Sequence, residues 1–207
     1  HELRLIGGEP LMYRKIDEII RSLLGYKKFG KIVIFTNGTI IPRDNVLEIC
    51  KDPRVHFIIS NYGSSLSKNA NKLADTLSKS KISYLNERVT TWQNCAIIGK
   101  QERSTKDTFE VFSNCCVKDT LTLLHDKLFG CPFSAHADRL EAIPEFSDDI
   151  IDLNVVNGES LKEEIAKLVS GNRYYGACEY CNGRDYTVAT VPAAVQTNSV
   201  LEYVKAR

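Results

Sequence analysis

The sequence predicts an α/β protein in which a parallel sheet is followed by a smaller α+β module with a β-hairpin. Strand-like and helix-like patterns alternate through the first half of the 207 residues, and this alternation stops near Ala96. Most of the seven cysteines lie after that point. Because alternating strands and helices favour parallel βαβ units, we expect one domain at residues 1–98 and a second at residues 99–207.

Four strands and three helices are predicted in the first domain. The run at residues 32–35 is apolar throughout, which is typical of a strand that is buried on both faces. Helices are predicted where apolar residues recur at helical spacing, beginning with a helix from about Met12 to Gly25. The predicted strands are residues 3–6, 31–36, 55–60 and 82–86, and the later helices are residues 44–50 and 66–80. Right-handed crossovers would place binding groups at the carboxyl ends of these strands.

The first such end is the run Gly7, Gly8 and Glu9, followed by a proline that suits the first turn of a helix. Glycines without a Cβ let a small molecule approach the main chain closely, and Glu9 offers a carboxylate to a cationic group. An amino-acid ammonium fits that arrangement. The alternative is a glycine-rich turn with a solvated glutamate.

Polar residues follow the other predicted strands. Asn37 follows the second strand, and Ser60 and Asn61 end the third, where a ligand hydroxyl could bind or where an ordinary turn could form. Glu87, Arg88 and Trp92 follow the fourth strand; they could face substrate, but a loop salt bridge and a packed indole explain them equally well.

Composition excludes some classes of function. A formal net charge of +1 provides no electrostatic footprint for nucleic acid. No apolar run approaches the roughly 18 residues of a membrane span, so we expect no membrane partner. An odd number of cysteines without a secretory signal favours a reduced, cytoplasmic setting with metal or cluster ligation over disulfides. The chain begins with His1 rather than Met, which indicates a fragment or the remnant of a tag.

The second domain contains the most specific spacing. Cys115 and Cys116 precede a predicted hairpin that returns to Cys131, and Cys178 and Cys181 form a later Cys-x-x-Cys turn. Such a turn can present two sulfurs to one metal, and the distant cysteines can complete the shell. We therefore expect Cys131, Cys178, Cys181 and either Cys115 or Cys116 to converge. Cys50 and Cys95 are predicted to be packing residues. Four thiolates suit a structural zinc ion or an iron-sulfur cluster, and the spacing alone leaves both open.

Residues 7–11, Gly-Gly-Glu-Pro-Leu, resemble the Gly-Gly-Glu-Pro element of radical S-adenosylmethionine (SAM) enzymes. Residues 36–39, Thr-Asn-Gly-Thr, resemble the end of the third strand in that family. The resemblance implies a partial parallel (β/α) radical SAM barrel that binds SAM through Gly7, Gly8, Glu9, Asn37, Ser60 and Asn61. The family's Cys-x-x-x-Cys-x-x-Cys loop, which carries a [4Fe-4S] cluster, is expected to precede His1.

The cysteine pattern resembles the Twitch domain, a short form of the SPASM module that is appended to radical SAM barrels, as in the 2-deoxy-scyllo-inosamine dehydrogenase type. Asp126 stands where that pattern usually has glycine, and Cys115 and Cys116 compete for one ligand position. The resemblance implies one auxiliary [4Fe-4S] cluster held by four cysteines. A short helix is predicted straight after Cys131, and its amides could donate hydrogen bonds to the cluster sulfurs.

The resemblance further implies an oxidoreductase. Such an enzyme uses SAM as a radical source, oxidises a sugar, an aminocyclitol-like molecule or a peptide, and receives electrons from a reductant such as flavodoxin or ferredoxin. A different class of function stays open, namely a non-catalytic binding module with a structural zinc ion on four cysteines.

Overall fold

The computed structural model describes residues 1–28, 30–170, 173–199 and 204–206 and divides the chain into two units. Unit 1 comprises His1–Trp92 with Pro192–Val195, and unit 2 comprises Gln93–Val191 with the remaining C-terminal residues. The assignment of these units to a radical SAM barrel and a Twitch-type domain remains a prediction.

Unit 1 is built from four parallel strands in the order in which they occur along the chain. Its elements are β1 (Glu2–Leu5), α1 (Ile16–Leu24), β2 (Lys31–Thr36), α2 (Asp44–Ile49), β3 (Val55–Asn61), α3 (Ala70–Lys79) and β4 (Ser83–Arg88). Each strand pairs in parallel register with the next, as Leu5 does with Ile34 and Thr36 with Ile59. The sheet is open, and no closed barrel forms within the described residues.

The core of unit 1 lies between the sheet and its helices. Alternate residues of β3, among them Phe57 and Ile59, are fully buried together with Ile20 of α1 and Leu73 of α3. Because alternate strand residues share a face, the helices pack as one layer on that side. Cys50 is also buried there, so its prediction as a packing residue is confirmed.

The start of unit 1 differs from the sequence prediction. Pro10–Met12 forms a 3₁₀ helix, and the α-helix begins only at Ile16, so Met12 is 72% exposed instead of packing. Ile6, predicted to end the first strand, lies beyond β1 and is 56% exposed. The side chain of Glu9 caps the 3₁₀ turn, which explains why the α-helix starts late.

Unit 2 combines a small antiparallel sheet with three α-helices. Its elements are α4 (Thr105–Asn114), β6 (Thr122–Leu124), β7 (Lys127–Phe129), α5 (Pro132–Arg139), β8 (Ile150–Asp152) and α6 (Gly158–Leu168), with 3₁₀ helices at Ser147–Asp149 and Gly176–Tyr180. Two short strands, β5 (Thr91–Gln93) and β9 (Thr190–Pro192), form a separate two-stranded sheet.

The predicted hairpin is present. β6 and β7 pair antiparallel, with Leu124 opposite Lys127, so the loop is only the two residues His125 and Asp126. Both have positive φ, 48° and 60°, as a two-residue primed turn requires. Asp126 thus adopts the left-handed conformation that glycine usually takes in such turns. No helix among the described residues is long and apolar enough to cross a membrane.

Candidate functional site

Glu9 joins the ends of β1 and β2. Its Oε2 accepts hydrogen bonds from Thr36 Oγ1 and from the amide of Asn37, both at 2.8 Å, and its Oε1 accepts from the amide of Leu11 at 3.1 Å. The residue is only 9% exposed. The glutamate is therefore not a solvated turn residue, and the protein itself supplies partners for both carboxylate oxygens. A carboxylate has about four acceptor sites, so acceptor capacity for a ligand remains.

The two glycines before Glu9 are exposed and border open space. A Cβ built on Gly7 or Gly8 would meet no heavy atom of the protein within 4 Å. A small molecule can therefore reach the main chain here, which is what the proposed SAM contact requires.

The turn after β2 is fixed by its own side chains. Asn37 Oδ1 accepts from the amide of Thr39 at 3.0 Å and from its hydroxyl at 2.6 Å. Gly38 has φ of 72°, and a Cβ there would lie 2.9 Å from that of Ala70. The amide and side chain of Asn69 bind the carbonyls of Gly38 and Thr39. The Asn37 side chain is thus held in place at the carboxyl edge of the sheet.

The residues at the ends of β3 and β4 are also linked. Asn61 accepts from the amide of Gly63 at 3.0 Å and donates to Asn86 Oδ1 at 3.3 Å. The carbonyl of Ser60 accepts from the hydroxyl of Ser67 at 3.3 Å. The Asn61–Gly63 bond is a local turn of the kind that asparagine commonly forms. Binding of a ligand hydroxyl by Ser60 and Asn61 stays a prediction.

Glu87 and Arg88 were predicted to follow the fourth strand, but they lie within β4, and of the three residues only Trp92 lies beyond it. The ring of Trp92 packs edge-on against Tyr62, with centroids 5.7 Å apart, although 47% of the tryptophan is exposed. The guanidinium of Arg88 lies against the backbone of Gly63. These contacts favour packing, and Glu87 on β4 is exposed.

Unit 2 contains an apolar cavity of about 110 Å³ that is lined by cysteines from separate segments. Cys131 reaches it from the hairpin, Cys115 from the end of α4, and Cys178 and Cys181 from the 3₁₀ turn at Gly176–Tyr180. Cys95 also lines it, whereas Cys116 is exposed and does not. One water-sized probe needs roughly 10–15 Å³, so the cavity is larger than a single ion requires.

The thiols in the cavity are close enough to affect one another. Burial is the main cause that raises the pKa of Cys131 and Cys181 to about 11 and that of Cys178 to about 12. Negative charge on the neighbouring sulfurs raises these pKa values further. Every pair among Cys115, Cys131, Cys178 and Cys181 interacts in this way. The structure therefore brings Cys115, rather than Cys116, together with the other three.

Three glycines next to these cysteines allow close packing. A Cβ on Gly130 would penetrate the ring of Tyr175, one on Gly176 the ring of Phe146, and one on Gly183 would come within 2.5 Å of Val111. Each glycine is one or two residues from a cavity cysteine. Side chains from other segments therefore pack directly on the backbone that carries the sulfurs.

Backbone amides point at two of the sulfurs. The amide of Ser134, in the first turn of α5, donates to Cys131 Sγ at 3.3 Å, and that of Gly183 donates to Cys181 Sγ at 3.3 Å. Both bonds lower the pKa of the thiol that they reach, against the larger effect of burial. They stabilise thiolates, the form of cysteine that binds a metal.

Cys95 is the residue that sequence reasoning missed. It was predicted to be a packing residue, yet it lines the cavity. Burial is the main cause that raises its pKa; Arg184 lowers the pKa, and the thiols of Cys116 and Cys115 raise it. A backbone bridge between Ile98 and Cys181 brings its segment to the site. Charge on Cys95 also raises the pKa of Cys181, so Cys95 is a fifth thiol of the cavity.

The cavity supplies several thiol donors, but they do not form a compact single-ion site in the described residues. No group of three or more His, Cys, Asp or Glu side chains in the described ranges is compact enough to hold one metal ion. Metal–thiolate bonds of about 2.3 Å would draw four sulfurs tightly around one zinc ion, whereas a cluster binds each thiolate to a different iron atom. Five cysteines line the cavity, among them four of the predicted ligands, so the donors that a four-thiolate centre needs are present.

Comparisons with known proteins match only short parts of the chain. No family model matches it. A segment of 42 residues is 43% identical to a GTP 3′,8-cyclase of Stenotrophomonas maltophilia and covers 20% of this chain and 13% of that protein. A match over 55 residues is 42% identical to the GTP 3′,8-cyclase of Synechocystis sp. and covers 23% of this chain and 16% of that protein. The chain thus spans less than a fifth of the curated relatives, which are radical SAM enzymes, and it is similar to them in part.

Proposed function

We propose that this chain is part of a radical SAM oxidoreductase, with a SAM site in unit 1 and an auxiliary [4Fe-4S] cluster in unit 2. One observation carries the proposal: Cys115, Cys131, Cys178 and Cys181 line one cavity, in a chain that is similar in part to radical SAM enzymes. A second [4Fe-4S] cluster, outside the residues of this chain, belongs to the proposal.

In unit 2, the four cysteines would hold the cluster, which supplies one-electron chemistry when bound. The amides of Ser134 and Gly183 would stabilise the thiolates of Cys131 and Cys181. Apolar side chains around the cavity would lower the local dielectric and so affect the reduction potential of the cluster. The glycines hold the sulfur-bearing segments in close contact with this apolar shell.

In unit 1, the open backbone at Gly7 and Gly8 would accept the methionyl end of SAM, and Glu9 would bind its ammonium. The Glu9 carboxylate is already oriented by Thr36 and Asn37, so it would not need to be ordered when the ligand binds. Asn37, Ser60 and Asn61 supply further polar groups at the same edge, which suits the ribose hydroxyls.

We propose a sugar or aminocyclitol-like alcohol as the substrate, with a peptide side chain as the second choice, and flavodoxin or ferredoxin as the reductant. The polar groups of the sheet edge, which include amides and hydroxyls, suit a substrate with several hydroxyl or amino groups. Cys115, Cys131, Cys178 and Cys181 would hold the auxiliary cluster, which would supply an electron acceptor or a binding site for that substrate.

Anaerobic expression followed by metal and sulfide analysis tests the proposal. The protein should be brown and should contain about four iron and four sulfide per chain, as expected for one [4Fe-4S] cluster on four cysteines. Stoichiometric zinc without sulfide would instead establish the other candidate, a binding module with a structural zinc ion. Cys116→Ser is the matched control, because it removes an exposed thiol next to the proposed ligand.

Gly8→Val tests the SAM site separately, in the full-length enzyme. Open space around Gly8 lets the fold accept a side chain, but that side chain would occupy the approach to the main chain. SAM affinity should fall while the thermal stability of the protein stays within about 0.5 kcal/mol of wild type. Unchanged SAM affinity would remove this edge from the proposal.

A further inference from the structure

The residues on both sides of Cys95 are tied to the Cys-x-x-Cys turn. Asn182, which directly follows Cys181, accepts at its Oδ1 from the amide of Ile97 at 2.8 Å. Its side-chain nitrogen donates to the carbonyl of Asn94 at 3.1 Å. One asparagine of the turn thus binds the main chain on each side of Cys95, so the position of this cysteine is fixed relative to that of Cys181.

Main-chain hydrogen bonds extend this pairing along both segments. The amide of Gly99 donates to the carbonyl of Tyr180 at 3.0 Å, and that of Gln101 donates to the carbonyl of Glu179 at 2.7 Å. The segment after Cys95 therefore runs beside the turn in the opposite direction, as the antiparallel bridge between Ile98 and Cys181 also indicates. It is hydrogen-bonded to the backbone that carries two of the proposed ligands.

Cys95 and Cys115 both act on the sulfur of Cys181. Burial is the main cause that raises the pKa of Cys181, and negative charge on Cys115 and on Cys95 raises it further. Both cysteines line the cavity, together with Cys131, Cys178 and Cys181. A centre on four thiolates uses only four of these five cysteines, so one thiol of the cavity is in excess.

Cys116 is the neighbour of Cys115 along the chain, but it is exposed and does not line the cavity. Its amide donates to the carbonyl of Arg184 at 2.8 Å, which fixes the main chain just after Cys115. Cys95, and not Cys116, is therefore the cavity thiol that is present in addition to the four proposed ligands.

We propose that Cys95 is an alternative ligand of the metal centre, which takes the coordination position of Cys115 when that thiolate is absent. This inference rests on the proposed function. The exchange replaces one bond between iron and a cysteine sulfur by another. Because a metal binds the thiolate, Cys95 releases its proton to solvent as its bond forms, and no electron is transferred.

The first test compares three variants after anaerobic reconstitution with iron and sulfide. Cys115→Ala, which removes the sulfur and adds no other donor atom, should still bind about four iron and four sulfide per chain. The double variant Cys95→Ala with Cys115→Ala should lose the cluster, because only three cavity cysteines remain. The matched control is Cys116→Ala with Cys115→Ala, which also lacks two cysteines but should keep the cluster.

The second test identifies the ligand directly by reaction with iodoacetamide and mass spectrometry of the cysteine peptides. In loaded wild type, the partly exposed Cys95 should be alkylated. In loaded Cys115→Ala it should be protected, and a chelator that removes the iron should make it reactive again. Cys116 is exposed and should react in every sample, which makes it an internal control for the reagent.

The outcomes separate the two proposals. Wild-type protein that binds no iron and sulfide would refute the proposed function, and the inference about Cys95 with it. A loaded wild type and a folded Cys115→Ala protein without a cluster would refute only the role of Cys95. So would alkylation of Cys95 in the loaded variant. Circular dichroism establishes folding, and Cys115→Ser takes the place of the alanine variant if that protein does not fold.

Discussion

The carboxyl edge of unit 1 and the cysteine cavity of unit 2 are both candidate sites, but they satisfy their polar groups in opposite ways. At the edge, Glu9 and Asn37 bind partners within the protein, so their side chains are oriented before a ligand binds. In the cavity, burial raises the pKa values of the Cys131, Cys178 and Cys181 thiols to about 11 or 12. The first site is thus preorganised by hydrogen bonds within the chain, whereas in the second burial favours the protonated thiols.

The largest expected effect is the loss of iron and sulfide binding when one proposed ligand is removed. Cys131→Ser should reduce iron and sulfide binding by more than the roughly 10–100-fold that loss of an outer-shell partner causes, because a thiolate donor is removed from the cavity. Metal analysis after anaerobic reconstitution measures it. Full cluster content in Cys131→Ser, with loss in Cys116→Ser, would contradict the assignment of the four ligands.

Removal of the metal should affect one unit only. If binding of the centre contributes to the folding of unit 2, chelation should lower its stability by several kcal/mol, below the roughly 10–16 kcal/mol found for structural zinc in small peptides. Hydrogen exchange should then speed up at amides near Cys178 and Cys181 and stay unchanged in β2 and β3. Equal exchange rates before and after chelation would mean that the fold around the cavity does not depend on a bound centre.

The sequence predicted the regular elements where local pattern is decisive. The predicted strand at residues 31–36 matches β2, because an uninterrupted apolar run can be satisfied only by burial. The hairpin was predicted, and two left-handed residues close it. The convergence of Cys131 with Cys178 and Cys181 followed from their spacing, although their role as ligands remains a proposal.

What the sequence could not provide depends on contacts between distant residues. Glu9 was considered a free carboxylate because its partners Thr36 and Asn37 lie 27 and 28 positions later. Cys95 was missed because a bridge between Ile98 and Cys181 brings its segment to the cavity. The choice between Cys115 and Cys116 depended on how α4 ends, since neighbours along the chain point in different directions there.

Glu9→Gln should weaken the hydrogen bonds that join the ends of β1 and β2. In wild type, one carboxylate oxygen accepts from the amide of Leu11 and the other accepts from Thr36 and Asn37. Glutamine has only one side-chain oxygen, so its NH₂ group would face one of these hydrogen-bond donors. We expect a loss of about 1–3 kcal/mol in the free energy of unfolding, with unchanged iron binding. Chemical denaturation measures the first and metal analysis the second, and a loss of iron in this variant would contradict the separation of the two sites.

The smallest expected effect concerns Cys50, a buried thiol outside the cavity. Burial raises its pKa from 9.0 to about 12. A raised pKa in the folded state stabilises the fold fully below pH 9, and this contribution is lost as pH rises towards 12. The slope is at most about 1.4 kcal/mol per pH unit.

The comparison of wild type with Cys50→Ala isolates this slope. Stability measured at several pH values above 9 should fall less steeply in the variant, because the alanine has no proton to lose. Parallel curves for the two proteins would show that Cys50 does not titrate in this range.

The three glycines that touch Tyr175, Phe146 and Val111 also define how relatives of this chain can be recognised. Cysteines alone make a weak search pattern, because many unrelated proteins contain a Cys-x-x-Cys turn. A pattern that requires Gly-Cys at positions 130–131 and Gly-x-Cys-x-x-Cys-x-Gly at positions 176–183 encodes both the donors and the close approach of neighbouring side chains. Chains that share this eight-residue signature but lack one cysteine would be informative, because they would reveal which thiol the architecture can dispense with.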